Sequence, residues 1–404
     1  MVTRSSILLA SFGVSQFGDF IYLVAINVYL YQLTGSAAAV AGLWIIGPIA
    51  ALFMKFWAGS VIDRVDVRRW LIGTDIVRAV LVALLPLLST LPLIYLTLFA
   101  LALVKAFFEP AATTYLTQVV PETGRKSFNA YRSLITSSAF LIGPALAGLL
   151  LLVATPGVAI WINAMSFLVS GLLLLTLPSV PRASAVPRLQ LADLATDWRT
   201  VSRFSRTERF VSLIYILGLL TMSLALALDA QEVVFLQTAV GLTTTDYGFL
   251  ISITGIGSVL GGLTVARFAN RLSLKTLLVS GYLFVALGYL IYATADSFLI
   301  VTIGFLLLGF FNAFAGTGFL TFYQNNVPDE LIGRFTSLYG LGQSVVQIVF
   351  ILAIGFTGDL FPLRFSIVSA AVLLAVLSLV LMVSVLRPNK RAFFREDQTT
   401  KQIS

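Results

Sequence analysis

The chain has 404 residues, of which 58% are hydrophobic and 11% are charged, and its formal net charge is +8. The hydrophobic share exceeds the roughly 45–50% that is typical of soluble domains, which excludes a soluble globule. Because the chain has no Cys and no His, disulfides, thiolate nucleophiles, imidazole bases and the usual zinc-ligand sets are excluded, and any proton chemistry falls to carboxylates.

Apolar runs recur along the whole chain. Each run has about 20 residues, which is long enough to cross a hydrocarbon core about 30 Å thick as a helix. The first run contains Asp19 and is too long for the apolar core of a signal peptide. The pattern predicts an all-α membrane protein with twelve transmembrane spans, at 6–32, 38–62, 70–89, 93–118, 129–153, 158–178, 209–238, 246–270, 275–294, 298–324, 334–357 and 364–386.

The basic residues predict the orientation of these spans. Nearly all of them fall at one set of span ends, including Arg4, Arg132 and the run from 182 to 209, whereas Arg364 is the only one at the other set. The positive-inside rule therefore predicts that both termini are cytoplasmic. Since the basic residues form no patch interleaved with aromatic residues, we expect no nucleic-acid partner.

The connection between the sixth and seventh spans is the only long one. Its sequence "LADLATDWRTVSRF" places Leu191, Leu194, Trp198 and Val201 at helical spacing. This spacing favours an amphipathic helix at the membrane surface, with a solvated linker as the alternative. We predict four segments: an N-terminal six-helix bundle (1–178), a cytoplasmic linker (179–208), a C-terminal six-helix bundle (209–386) and a cytoplasmic tail (387–404).

Two pairs of segments indicate that the halves are internal repeats. "VVPETGRKSFNAYRSL" at 119–134 is similar to "NVPDELIGRFTSLYGL" at 326–341, and "GSVIDR" at 59–64 is similar to "GLTVAR" at 262–267. Both offsets are close to half the length of the chain. Parallel six-helix repeats are a known architecture of transporters.

The stretch "GSVIDRVDVRRW" at 59–70 resembles the loop 2–3 signature of the major facilitator superfamily. The matching residues are Gly59, Asp63, Arg64, Arg68 and Arg69, while Asp66 stands where many members carry Gly. "GDFIYLVAINVYLYQLTGS", "GTDIVRA" and "FFEPAATTYLTQVVP" resemble the bacterial macrolide-efflux and siderophore-export-like branch. The resemblance covers essentially the whole chain.

A weaker resemblance lies in the fifth span. "GPALAGLL" at 143–150 is similar to the antiporter motif of this superfamily and retains Gly143, Pro144 and Gly148. It departs from that motif at Ala139 and Ala147, where Gly is usual.

The resemblance implies a transporter with two six-helix bundles, no cofactor, a monomeric state and a location in the bacterial inner membrane. It also implies a cytoplasmic gate, in which the loop of Gly59, Asp63, Arg64, Arg68 and Arg69 clasps the opposite half. Asp63 would then lie near Gly333 and Arg334, where helix-end N–H groups and a cation favour a carboxylate. Asp75 and Arg78, one turn apart in the third span, are expected to be partners in the gate or in the fold.

Charged residues within the spans are the candidates for substrate or proton binding, because each costs a few kcal/mol in a bilayer unless it faces a cavity or a partner. Asp19 in the first span, with Gln16 and Asn27, predicts such a site, and a buried hydrogen bond between helices is the alternative. Lys105 and Glu109 lie four residues apart, so they form either a self-neutralised pair or a pair that protonation of Glu109 opens.

Asp229 and Glu232, three residues apart in the seventh span, have no basic neighbour in sequence. Neighbouring carboxylates in an apolar site tend to retain a shared proton, which suits proton coupling. The alternative is that they line a wet outer opening.

The leading functional prediction is secondary active, proton-coupled export of amphiphilic small molecules by alternating access. No Gly-Lys-Ser/Thr phosphate loop is present, so we expect a proton gradient rather than ATP to drive transport. We expect no metal site. Alternatives are transport of a lysophospholipid or glycolipid by the same fold, a non-transporting membrane sensor and, least favoured without His or Cys, a membrane enzyme.

Overall fold

The computed structural model describes residues 2–54, 66–120, 122–179, 191–268 and 271–394, with the side chains of some of them, including Glu109 and Arg334, outside the description. The regular elements in these residues are helical. The α-helices are α1 (Val2–Thr34), α2 (Ala37–Met54), α3 (Val67–Leu84), α4 (Leu91–Val119), α5 (Glu122–Val153), α6 (Pro156–Leu175), α7 (Leu191–Thr207), α8 (Arg209–Asp229), α9 (Glu232–Phe235), α10 (Thr244–Arg267), α11 (Leu274–Thr294), α12 (Phe298–Asn326), α13 (Asp329–Leu360) and α14 (Leu363–Leu386).

Twelve helices in the described part of the chain are long and apolar enough to cross a membrane, namely all except α7 and α9. This confirms the all-α fold and the number of spans predicted from the sequence. The chain is therefore a multi-pass membrane protein.

The predicted seventh span is wrong in one respect. A single helix was expected over 209–238, but α8 ends at Asp229 and α9 begins at Glu232, followed by a π-helical turn at Leu236–Val240. Hydropathy averaged over the length of a span does not locate such a break, because the longer segments beyond the polar residues at 229–232 are apolar on both sides. Asp229 and Glu232 consequently do not lie on one continuous helical face.

Local signals set several helix ends. Asp66 precedes α3, and its carboxylate accepts hydrogen bonds from the backbone N–H groups of Arg68 and Arg69, at 3.1 and 3.2 Å. Ser273 caps α11 in the same way. Such caps satisfy N–H groups that have no partner within the helix. Gly35 takes a positive φ of 64° at the short turn between α1 and α2, which favours Gly.

The chain divides into two compact units. The first comprises Met1–Leu189, Ala230–Ser252 and Ile351–Leu360, and the second comprises Gln190–Asp229, Ile253–Phe350 and Phe361–Ser404.

In the first unit, α1 packs against both α5 and α6. A Cβ atom at Gly18 would lie 2.1 Å from Oγ of Ser166, and one at Gly143 would lie 2.6 Å from Cβ of Phe20. Small residues at these positions therefore allow the helices to approach closely, as is common in membrane proteins.

In the second unit, aromatic side chains form the centre of the core around α8. The ring centroid of Tyr215 lies 4.8 to 5.6 Å from those of Phe319, Tyr323, Phe335 and Tyr339. These distances are typical of favourable edge and tilted ring contacts.

Helix α7 packs on this unit through one face. Val201 is 2% exposed whereas Trp198 is 60% exposed. The Phe204 and Phe335 ring centroids lie 5.7 Å apart, and the hydroxyls of Ser205 and Tyr339 are hydrogen-bonded at 2.9 Å. The helix thus has the amphipathic character that its sequence indicates.

Candidate substrate and proton site

Helices α1, α3, α4 and α5 of the first unit enclose a small recess, of about 30 Å³, that contains charged side chains and has room for a proton or a water rather than for a whole drug-sized ligand. From α1 it is lined by Phe12, Gln16 and Asp19. These residues recur every three or four positions, so one face of α1 presents all of them. Lys105 of α4 and Arg132 of α5 complete the polar lining on the opposite side.

An ion pair joins the two sides of the recess. Nζ of Lys105 lies 3.2 Å from Oδ2 of Asp19. The Lys105 side chain is 58% exposed and that of Asp19 is 20% exposed, so water or a ligand can reach both groups.

Arg78 contributes a second, buried cation. It forms an ion pair with Asp75, whose other carboxylate oxygen accepts a hydrogen bond from Oγ of Ser170 at 2.7 Å. The guanidinium carbon of Arg78 lies 4.0 and 4.2 Å from the ring centroids of Phe108 and Phe167. Planar stacking of this kind suits Arg and restricts its position.

The buried pair lies in the middle of α3. Asp75 is fully buried and Arg78 is 2% exposed, yet Arg78 also reaches the recess. Its Nε atom has no hydrogen-bond partner among the described residues. The pair therefore serves the packing of α3 on α4 and α6, and one edge of the guanidinium faces the recess.

The described ionisable residues that line the recess are one acid and three bases. They are Asp19, Arg78, Lys105 and Arg132. Near neutral pH their formal charges are one negative and three positive. This balance disfavours a strongly cationic ligand in the recess.

The structure brings only part of the predicted set together. Asp19, Gln16 and Lys105 share the recess, whereas Asn27 is 1% exposed and ties α1 to α2. Its Nδ2 donates to the carbonyl of Leu23, and its Oδ1 accepts from Nε1 of Trp44 at 2.9 Å. The predicted pairing of Lys105 with Glu109 lies outside the described side chains.

The two carboxylates of the predicted seventh span are placed in different units. Oδ1 of Asp229 accepts a hydrogen bond from the Tyr289 hydroxyl at 2.5 Å, in the second unit. Glu232 belongs to the first unit. Between them, Gln231 is fully buried in the first unit, and its Nε2 donates to the carbonyl of Ala37 at 3.2 Å.

Gly143, Pro144 and Gly148 lie where α5 meets its neighbours within the first unit. Gly143 lies against Phe20 of α1. A Cβ at Gly248 would lie 2.6 Å from the Pro144 carbonyl oxygen and 2.8 Å from Cα of Gly148. The Thr245 hydroxyl also donates to the Gly148 carbonyl at 3.2 Å. The segment thus forms a close backbone contact with the start of α10.

The loop that resembles a gate is described only from Asp66 onward. Gly59, Asp63 and Arg64 lie outside the described residues, as does the side chain of Arg334. Arg68 donates from its guanidinium to the carbonyls of Leu174 and Leu175 at the end of α6. Since the last carbonyls of a helix have no partner within it, this contact stabilises the C-terminus of α6.

Arg132 is the recess residue that the sequence pattern did not identify. It counted only as an orientation charge because it lies in the first turn of the predicted fifth span (129–153), whereas α5 starts at Glu122 and places Arg132 ten residues inside the helix. The spacing of Arg132, Ile135 and Thr136 on one face of α5 is the signal that could have assigned it to a lining. Among the described residues, no group of three or more Asp or Glu is placed to hold a metal ion.

Comparison with known proteins identifies the family. The family described as Major Facilitator Superfamily matches residues 8–350. An uncharacterised MFS-type transporter, YfiS of Bacillus subtilis, is 24% identical over 64% of this chain and 63% of its own length.

Two further relatives have names that state a function. The multidrug efflux pump Tap of Mycolicibacterium fortuitum is 22% identical over 80% of this chain and 81% of its own. Macrolide efflux protein A of Streptococcus pyogenes is 22% identical over 81% of this chain and 82% of its own. They confirm the resemblance to a macrolide-efflux branch.

Among solved structures, the nucleoside transporter NupG superposes with a TM-score of 0.78 at 15% identity, covering 95% of this chain and 99% of its own. At this identity the likeness concerns the fold alone. It confirms that the twelve helices have the architecture of the superfamily.

Proposed function

The chain belongs to the Major Facilitator Superfamily, and we propose that it is a proton-coupled exporter of amphiphilic small molecules that works by alternating access. It is a membrane transporter rather than an enzyme. We further propose that it acts as a monomer in the bacterial inner membrane, with both termini in the cytoplasm. The names of Tap and macrolide efflux protein A support the direction of transport and the drug-like substrate class.

The ion pair between Asp19 and Lys105 is the observation that carries proton coupling. It is a carboxylate paired with an amine on the wall of a recess, and both groups are partly accessible. A proton on Asp19 removes the negative charge and releases Lys105. The recess, already rich in bases, then becomes more positive by one charge.

This change in charge predicts which substrates are exchanged for protons. A neutral or weakly basic amphiphile binds best while Asp19 is ionised, and it is released when a proton arrives from outside. Proton entry and substrate exit are then alternatives at one site, which makes the transporter an antiporter. Glu109, four residues from Lys105 on α4, is proposed to share this role.

Transport into everted membrane vesicles tests the proposal. With an acidic lumen, we expect accumulation of a macrolide or of N-phenyl-1-naphthylamine, and we expect Asp19→Asn to abolish it. Asp296→Asn is the matched control, since Asp296 lies exposed between α11 and α12. No accumulation of any probe, or full accumulation by Asp19→Asn, would contradict proton-coupled export.

Transport of an anionic amphiphile, such as a lysophospholipid, is the second candidate. The three bases of the recess support it. Protonation of Asp19 would then strengthen substrate binding, so proton and substrate would move together. The test is uptake of a fluorescent lysophospholipid into everted vesicles. Uptake that is driven by an alkaline lumen, and not by an acidic one, would favour this candidate over drug export.

The cytoplasmic gate is a separate proposal. We propose that Asp63, with Gly59, Arg64, Arg68 and Arg69, clasps the region of Arg334 when the transporter faces outward. Asp63→Asn should then reduce transport while insertion and ligand binding stay largely intact. Transport at the wild-type rate, measured with equal protein in the membrane, would refute the assignment.

A further inference from the structure

A cavity of about 370 Å³ lies in the second unit, apart from the charged recess. Small-molecule sites typically measure about 300–1,000 Å³. Three helices form the walls of the cavity, which is open on one side. Trp198 and Val201 line it from α7, Leu219 and Leu220 from α8, and Leu338 and Val346 from α13.

The lining of this cavity is uncharged. Among the described residues that form it there is no Asp, Glu, Lys or Arg. An ion bound there would lie against mostly apolar surface and would gain no charged partner. The cavity therefore selects against ions and favours a neutral, largely apolar ligand.

A small number of polar groups give the cavity the means to orient a ligand. Ser223 is fully buried, and its Oγ has no hydrogen-bond partner among the described residues. Because this Oγ has no accessible surface, a ligand in the cavity does not reach it, and the accessible polar atoms of the wall belong to other residues. Ser202 and Gln343 supply polar atoms on the wall.

Helix α7 covers one side of the cavity. The buried Val201 and the hydrogen bond between Ser205 and Tyr339 hold it against α8 and α13. Amphipathic helices of this kind lie at the membrane surface, where lipid-soluble molecules concentrate. A ligand partitioned into the inner leaflet would thus meet the cavity at this helix.

From these observations we infer that the cavity beneath α7 is a binding site for a neutral, lipid-soluble small molecule with one or two hydrogen-bonding groups. The inference goes beyond the proposed export function, because it concerns a second site in the other unit and does not depend on Asp19 or on protons.

Gly342 offers a direct way to fill the cavity. It lines the wall, and a Cβ placed on it meets no atom within 4 Å. Gly342→Leu should therefore occupy the cavity without displacing the backbone. Gly262 on α10 has equally open surroundings and does not line the cavity, so Gly262→Leu is the matched control.

Energy transfer from tryptophan to N-phenyl-1-naphthylamine, in nanodiscs that contain the full chain, measures binding. We expect saturable transfer for the wild type, Gly262→Leu and Asp19→Asn. For Gly342→Leu we expect the affinity for the probe to fall by about tenfold or more. If Gly342→Leu does not yield monodisperse protein, Ser202→Phe fills the cavity from the side of α7 and carries the same expectation.

Competition tests the class of ligand. Neutral triphenylphosphine oxide should displace the probe, whereas the tetraphenylphosphonium cation, of similar size, should not. Non-saturable transfer in the wild type, equal affinity in both cavity-filling variants, or equal displacement by the cation would overturn the proposal. Binding to delipidated protein that is lost in nanodiscs would assign the cavity to a lipid chain and would also overturn it.

Because the assay measures binding and not transport, its outcome is separate from that of the export experiment. Loss of transport in Asp19→Asn with probe binding intact would support both proposals.

Discussion

At the scale of single residues, two ion pairs of the first unit differ in exposure and therefore in what they can do. Asp75 and Arg78 are almost completely buried, whereas Lys105 is mostly exposed and faces Asp19 across the recess. A buried pair contributes to a fixed arrangement of helices, because breaking it leaves an unpaired charge in an apolar environment. An accessible pair can respond to protons and ligands.

The buried pair makes a prediction about stability. Asp75→Asn and Arg78→Met should each lower the free energy of unfolding by about 3–5 kcal/mol, since each leaves one buried charge without its partner. The double variant should lose clearly less than the sum of the two. The free energies of unfolding of the wild type, the two single variants and the double variant, measured on purified protein in mild detergent, form a double-mutant cycle that tests this coupling. Simple additivity would mean that the two side chains are not coupled.

The sequence identified all four charged residues, and the spacing of Asp75 and Arg78 indicated that they are partners, but it did not predict the pairing of Lys105 with Asp19. Lys105 has Glu109 four residues away, so local spacing proposed that pair, whereas the structure places Lys105 beside Asp19, at a sequence separation of 86. Hydropathy predicts that a charge within a span needs a partner or a cavity. The partner itself depends on how each helix is rotated, and apolar composition does not encode that rotation where all faces are apolar.

At the scale of elements, the contact between α5 and the start of α10 depends on two glycines. Cα of Gly148 and the Pro144 carbonyl oxygen lie so close to Gly248 that a Cβ there would overlap backbone atoms. Backbone atoms cannot move aside as a flexible side chain can. The resemblance to an antiporter motif suggested that this segment matters, and the structure supplies a physical reason in close packing.

Replacing Gly248 tests that reason. Gly248→Ala should destabilise the protein by about 1–3 kcal/mol through overpacking and should lower the thermal unfolding midpoint. Gly262→Ala, on the same helix with open surroundings, should change the midpoint little. Equal midpoints for the two variants would show that the contact tolerates a methyl group.

Helix boundaries show where sequence reasoning succeeds and where it stops. The predicted first, fourth and twelfth spans match α1, α4 and α14 closely, because Pro, Gly and polar residues end those apolar runs. The break after Asp229 was missed, although three of the four residues from Asp229 to Glu232 are polar and mark the point where the helix ends. The early start of α5 was also missed, because its first two turns are polar.

At the scale of the whole molecule, the number of spans follows from apolar length alone and is the most robust of the predictions. Orientation follows from the distribution of Arg and Lys and has its own test. Since the chain has no Cys, any introduced Cys is the only thiol. Thr207 and Ser297 are both exposed, and they lie at ends predicted to be cytoplasmic and external.

In intact cells, a membrane-impermeant maleimide should label Ser297→Cys and should label Thr207→Cys only after the membrane is permeabilised. The expectation follows from the excess of basic residues at the end that includes Thr207. The reverse pattern of labelling would invert the proposed orientation and with it the predicted direction of transport.

We propose that protons and substrate exchange through the recess of Asp19 and Lys105. The most direct test uses proteoliposomes with a trapped pH indicator. A substrate found by the vesicle assay is added outside, and the pH of the lumen is followed. The lumen should become alkaline as substrate enters and protons leave, and Asp19→Asn should abolish this change while Asp296→Asn preserves it. No change in lumenal pH during measured substrate entry, or an unchanged signal in Asp19→Asn, would contradict this proposal.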